Sequence, residues 1–118
     1  MEDLIATLFL SREITHRAHL ATDSYAEHVA LGSFYEDIIP LADSLAEAYQ
    51  GRSGKRLSKI PYLAGSPTVD ALASLKKILK QIESTRETCC SDDSTIQNII
   101  DEVISLYLST IYKLTFLK

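Results

Sequence analysis

The chain has 118 residues, a length suited to one domain and sufficient to bury a core without disulfides or structural metal. Trp is absent and Gly and Pro are scarce, which disfavours a turn-rich sandwich of strands and predicts an all-α fold. A formal net charge of −4 disfavours the broad positive footprint of a duplex-DNA binder, so nucleic acid is not an expected partner.

The opening stretch, MEDLIATLFLSREITH, carries Glu2 and Asp3 where a signal peptide needs positive charge, and Arg12 and Glu13 break its apolar run. No targeting segment is read there. No stretch approaches the roughly 20 apolar residues that span a bilayer, so a soluble, cytoplasmic protein without a membrane partner is expected. The first helix is predicted from Asp3 to Leu20, with Leu4, Leu8, Arg12, Thr15 and His19 along one side and Ile5, Phe9 and His16 on the flank. His16 and His19 are surface neighbours at a spacing of three, as are Arg12 and His16 at four.

A link of three residues, Ala21 to Asp23, predicts an antiparallel hairpin with the second helix. That helix opens on a capping box, Ser24 with Glu27, and closes on Gly51 as the left-handed residue. Its apolar stripe is Leu31, Phe34, Tyr35, Ile38, Leu41, Ala42, Leu45 and Tyr49, and Pro40 predicts a bend or bulge near the middle. Glu36, Asp43 and Glu47 fall within about 40° of one another and point away from the stripe. They are a solvated face on a monomer, and metal ligands only if a second subunit covers them.

From Gly51 to Pro67 the breakers Gly54, Pro61, Gly65 and Pro67 mark a connection. It could extend about 55 Å, against roughly 40 Å for the preceding helix, so it is long enough to cross a bundle from end to end. Arg52, Lys55, Arg56 and Lys59 concentrate positive charge there, with Tyr62 close behind. They read either as a solvated polar connection or as contacts for an anionic small molecule, a nucleotide or a local stretch of nucleic acid, although GRSGKR lacks the spacing of a Walker loop. Ser66 and Pro67 predict the start of a third helix with the stripe Val69, Leu72, Leu75, Leu79 and Ile82, ending near Glu87.

Cys89 and Cys90 in the turn TCCSDD are a poor structural staple and lack the spacing of a zinc site, so free thiols in a reducing compartment are expected. Ser94 and Gln97 predict a capping box for the fourth helix, whose stripe is Ile96, Ile99, Ile100, Val103, Tyr107, Ile111, Leu114 and Leu117. No grouping of Ser, His and Asp or of Cys and His identifies a catalytic nucleophile. The order of short loop, long loop, short loop is that of a four-helix bundle of ferritin type with a crossover between helices 2 and 3.

The segments REITHRAHLAT, AEHVAL and LADSLAEAYQG, with His28 placed 19 residues before Glu47, resemble the ferritin-like proteins, in particular their Dps branch. The terminal stretch DDSTIQNIIDEVISLYLSTIYKLTFLK is similar to that family's fourth helix. The resemblance implies His19 or His16 as the first-helix ligand, His28 as the second, and Asp43 with Glu47 as carboxylates. It implies a homo-oligomer holding iron or a related divalent metal between subunits. Where the family carries an aspartate one turn after the second histidine this chain has Gly32, with Glu36 a further turn along, and that departure weighs against ferroxidase activity. The competing expectation is a non-enzymatic binding protein, of viral or mobile-element type and resident in the host cytoplasm, that sequesters an anionic ligand or a host partner through Arg52, Lys55 and Arg56.

Overall fold

A computed structural model describes residues 1–66 and 70–118. They form four helices, α1 (Glu2–Ala21), α2 (Tyr25–Ser53), α3 (Ala71–Cys89) and α4 (Ser94–Phe116), with no strand among the described residues. None of these helices is long and apolar enough to cross a membrane. At 1.5 Å per residue the 29-residue α2 measures about 43 Å, so it runs nearly the whole 45 Å length of the molecule. It remains helical through Pro40.

Helix α1 packs on α2 and α3, and α4 packs on the same two, so α1 lies diagonal to α4 and α2 diagonal to α3. The buried rows follow helical spacing: Leu4, Leu8, Ser11 and Thr15 on α1, and Leu31, Phe34, Ile38, Ala42 and Leu45 on α2. Leu75, Ile78 and Ile82 on α3 meet Ile96, Ile100, Val103 and Tyr107 on α4. Tyr35, Leu41 and Tyr49, expected in the α2 stripe, lie half-buried at its edges, and Leu117 is exposed beyond the end of α4. Tyr107 meets Phe34 edge to face, with ring centroids 5.0 Å apart. Its hydroxyl is buried without a hydrogen bond of good geometry among the described residues. Ser11, which faces it, donates its own proton to the Leu8 carbonyl at 2.7 Å. Burial raises the phenol pKa far above its ordinary value, against a small opposing effect of Ser11.

Three helix ends depart from the sequence expectation. Helix α2 continues through Gly51 and stops at Gly54, which takes the left-handed conformation (φ 72°) and donates its N–H to the Gln50 carbonyl. The Gln50 side chain then accepts the Leu57 N–H at 2.8 Å and fixes the exit of the chain. Helix α3 starts at Ala71 with Asp70 as N-cap, rather than at Ser66 and Pro67. Pro67 and Val69, on which that expectation partly rested, lie outside the described residues. Helix α4 is capped by Asp93, whose carboxylate accepts the Thr95 and Ile96 amides at 3.1 and 3.3 Å, and Ser94 is its first helical residue. Gln97 is drawn away from a capping box because its amide donates to the Arg86 and Cys90 carbonyls, each at 2.9 Å. The Ser24 cap is as expected, with its hydroxyl accepting the Glu27 N–H at 3.2 Å.

Asp93 also takes the Arg52 guanidinium at 2.7 Å, tying the end of α2 to the start of α4. Partial desolvation raises its pKa, but the Arg52 hydrogen bond, the Ile96 and Thr95 amides and the Arg52 charge outweigh this and hold the carboxyl below its ordinary 3.8. A depressed folded-state pKa contributes stability that is complete above the unfolded value and disappears as pH falls through the folded one. Asp93→Ala is therefore expected to melt below the wild type at neutral pH, and the two melting curves should approach each other as pH falls through the folded-state pKa to the acid limit of the Asp93 titration. A gap in Tm that stays constant from neutral pH to that limit would contradict the ionic cap.

The described residues of the connection between α2 and α3 lie beside α1. The Lys59 N–H reaches the Glu2 carboxylate at 2.7 Å. Gly65 lies over Leu10 and Ile14, and Asp70 and Ala71 share a cavity with Ala21 and Thr22 at the other end of the same helix.

Candidate functional site

All three histidines gather on one side of the α1–α2 hairpin. His19 stands just before the turn and His28 just after it, and each ring meets the other residue's backbone. His19 Nδ1 lies 2.6 Å from the His28 carbonyl, and His28 Nδ1 lies 2.8 Å from the His19 carbonyl. A carbonyl only accepts, so both Nδ1 atoms carry the proton, and in the neutral rings both Nε2 atoms keep a lone pair. The His19 carbonyl is among the last four of α1 and has no partner within that helix, which gives His28 a capping role as well. The two imidazoles stack with centroids 3.7 Å apart and planes 18° from parallel.

The seam continues along the hairpin. His16 stacks on Tyr35 at 4.2 Å, Tyr35 turns its ring nearly perpendicular to His19 at 5.2 Å, and the Arg12 guanidinium lies 5.4 Å from the Tyr35 centroid. Glycine at position 32 has a steric cause. A Cβ there would sit 3.0 Å from His19 Cε1 and 3.2 Å from Nδ1, so the ring occupies the place of a side chain. Gly32 thus makes room for the imidazole stack. Gly32→Ala gains about 1 kcal/mol of helix propensity but must push the ring aside. It is expected to leave stability little changed while shifting the His19 and His28 ring-proton resonances, and unchanged resonances would show that the ring does not lie over Gly32.

Glu36, Asp43 and Glu47 are exposed on α2 and form no ion pair among the described residues. They do not join the histidines: no group of three His, Cys, Asp or Glu that could hold a metal ion occurs among the described residues. The stack itself explains part of this. A metal sits in the plane of its imidazole ligand at about 2.1 Å from the nitrogen, so two nearly parallel rings cannot both aim a lone pair at one ion. Each ring offers a separate ligand.

The basic segment is divided. Arg52 is engaged by Asp93, whereas the Lys55, Arg56 and Lys59 side chains are exposed without an acidic partner among the described residues, and Tyr62 is fully exposed. Two cavities, of about 680 and 770 Å³, are lined by none of Lys55, Arg56 and Lys59. The thiols expected to be free are joined as a disulfide between neighbours, Cys89 at the end of α3 and Cys90 as its C-cap.

Arg12, Gly32 and Tyr35 were not singled out from the sequence as parts of this seam, although a signal exists. The pairs His19–His28 and Arg12–Tyr35 share one midpoint, between Asp23 and Ser24, so a hairpin folded there sets each pair side by side. No curated protein and no solved structure matches the chain. The model of DUF5856, a family of unknown function, matches residues 19–114, and the protein belongs to that family.

Proposed function

We propose that this protein is a ferritin-like bundle that associates with copies of itself and takes an iron-type divalent metal where the histidine seam of one protomer meets a second protomer. The observation that carries the reading is the pair of reciprocal Nδ1–H to carbonyl bonds between His19 and His28, which leaves both Nε2 atoms in the state that ligates a metal. The ferritin-type connectivity is supported by the pairing of α1 and α4 each with α2 and α3, and by the long connection that accompanies α1 from Glu2 to its last turn. Among the described residues the core offers no internal centre, since its buried polar groups are the hydroxyls of Ser11, Thr15, Ser74, Thr110 and Tyr107. Carboxylates for the site come from exposed groups, with Glu36, Asp43 and Glu47 of a neighbouring copy as the ligands of choice. Gly32, standing where the ferritin-like proteins carry an aspartate, makes metal binding the core of this reading and ferroxidase turnover the doubtful part of it.

Anaerobic titration with ferrous iron, followed by oxygen and read optically together with the mass in solution, tests this reading. Saturable binding is expected, weakened on the order of tenfold or more by His28→Ala and by Glu47→Ala. A protein that stays monomeric and binds no iron would sink it.

A second reading rests on Lys55, Arg56 and Lys59, which have no ion pair among the described residues, beside the exposed Tyr62: a non-enzymatic binder that sequesters an anionic small molecule, a nucleotide or a host partner, as a viral protein acting on a host signal would. Phosphate or nucleotides then raise Tm, and Arg56→Ala abolishes the shift.

A further inference from the structure

We propose that Cys89 and Cys90 form a reversible two-electron redox site that exchanges with small thiols and disulfides at the end of the bundle where α3 turns into α4. A disulfide stabilises by restraining the unfolded chain, and it does so through the length of the loop it closes. A bridge between sequence neighbours closes no loop beyond their own peptide, so a stapling role is excluded and another use of the paired sulfurs is left.

The surroundings suit exchange chemistry. Both cysteines are half-buried and line an open cavity of about 680 Å³ with Tyr49, Arg52 and Asp93. That volume accommodates a thiol of tripeptide size. The backbone around the pair is anchored from α4: the Cys90 carbonyl accepts from the Asp93 N–H at 3.1 Å and from Gln97 Nε2 at 2.9 Å. Gln97 Nε2 is also 3.7 Å from Cys90 Sγ, so one of its two N–H groups, both given to carbonyls, would be shared with a developing thiolate. The hydrogen bonds to the Cys90 carbonyl do not depend on the sulfur–sulfur bond.

The same placement assigns the roles of the two sulfurs. The thiolate of a small thiol attacks Cys89 Sγ, the disulfide bond breaks, and its electron pair leaves on Cys90 Sγ beside Gln97. A second small thiolate attacks the sulfur of the bound thiol, releasing Cys89 thiolate and the small-molecule disulfide. The protons of the two incoming thiols end on Cys89 and Cys90, so the protein disulfide is reduced while two thiols are oxidised to one disulfide. The reverse sequence closes the pair again. The site is independent of the metal reading and of the basic segment.

The test is a redox titration of the wild-type protein in mixtures of reduced and oxidised glutathione, quenched with acid, labelled with a maleimide and weighed intact. The expected result is one transition between a form with no label and a form with two, recovered on reversing the mixture. Cys90→Ser, left with Cys89 alone, should instead accumulate one glutathione at oxidising ratios. Two labels at every ratio, disulfide-linked dimers of the wild type in place of the unlabelled monomer, or a Cys90→Ser variant that takes up no glutathione would each overturn the proposal.

Discussion

Phe34→Ala is expected to lower the unfolding free energy by about 3–5 kcal/mol, the range for removing a fully buried aromatic ring. Phe34 is inaccessible to solvent, lies in the N-terminal half of α2 and packs against Tyr107 of α4, so its loss opens a cavity where these two helices meet. A small domain holds only about 5–15 kcal/mol in total, which places the variant near the edge of folding at room temperature. Urea denaturation followed by circular dichroism measures the change. Two companions separate packing from polarity. Phe34→Leu keeps most of the volume and should lose far less. Tyr107→Phe removes a buried hydroxyl that lacks a good partner, while keeping the edge-to-face pair, and should be neutral or stabilising. A cost below about 1 kcal/mol for Phe34→Ala would mean that this interface is not packed as described.

The sequence carried this core because spacing alone decides which side of a long helix is apolar. Leu31, Phe34, Ile38, Ala42 and Leu45 follow steps of three and four, and all are buried. Helix ends were legible only to within a few residues, since each junction holds two residues fit for the same task. Gly51 and Gly54 both allow a left-handed cap, and the helix continues to the second. Asp93 and Ser94 both suit an N-cap, and the carboxylate takes the position because it can bind two amides and Arg52 at once. The hydroxyl of Ser94 offers no such pairing.

The candidate site was legible in its members and not in its geometry. Helical spacing identifies His16 and His19 as neighbours and turns Glu36, Asp43 and Glu47 outward, as they are found. Whether His28 meets the other two depends on the register of the hairpin, which the turn Thr22–Ser24 sets and no single-helix pattern contains. The tautomers of His19 and His28 follow only from knowing that their ring nitrogens face carbonyls. Likewise, charge density marks Arg52 and Arg56 alike, while the fold commits Arg52 to Asp93 and leaves Arg56 free of any ion pair among the described residues.

Arg86→Ala is expected to cost about 2–3 kcal/mol, because it removes a charged donor from several acceptors at once. The guanidinium donates to Gln97 Oε1 at 2.7 Å and to the Gln97 carbonyl at 3.2 Å, and pairs with Asp101 at 2.7 Å. Gln97 answers by donating to the Arg86 carbonyl, so the side chains of α3 and α4 bind each other's backbones across the turn. The Asp101 pair is mostly exposed on the carboxylate side and adds little, so the loss falls on Gln97, whose half-buried amide oxygen is left without its donor. Arg86→Lys keeps the charge but cannot present the planar fork, and should recover only a minor part of the loss. A double-mutant cycle with Gln97→Ala should return a coupling of about 1–2 kcal/mol, measured by urea denaturation. Additive losses would show that the two residues act separately. Coupling would identify the clamp that holds the turn around Cys89 and Cys90, since the same Gln97 amide that answers Arg86 also binds the Cys90 carbonyl.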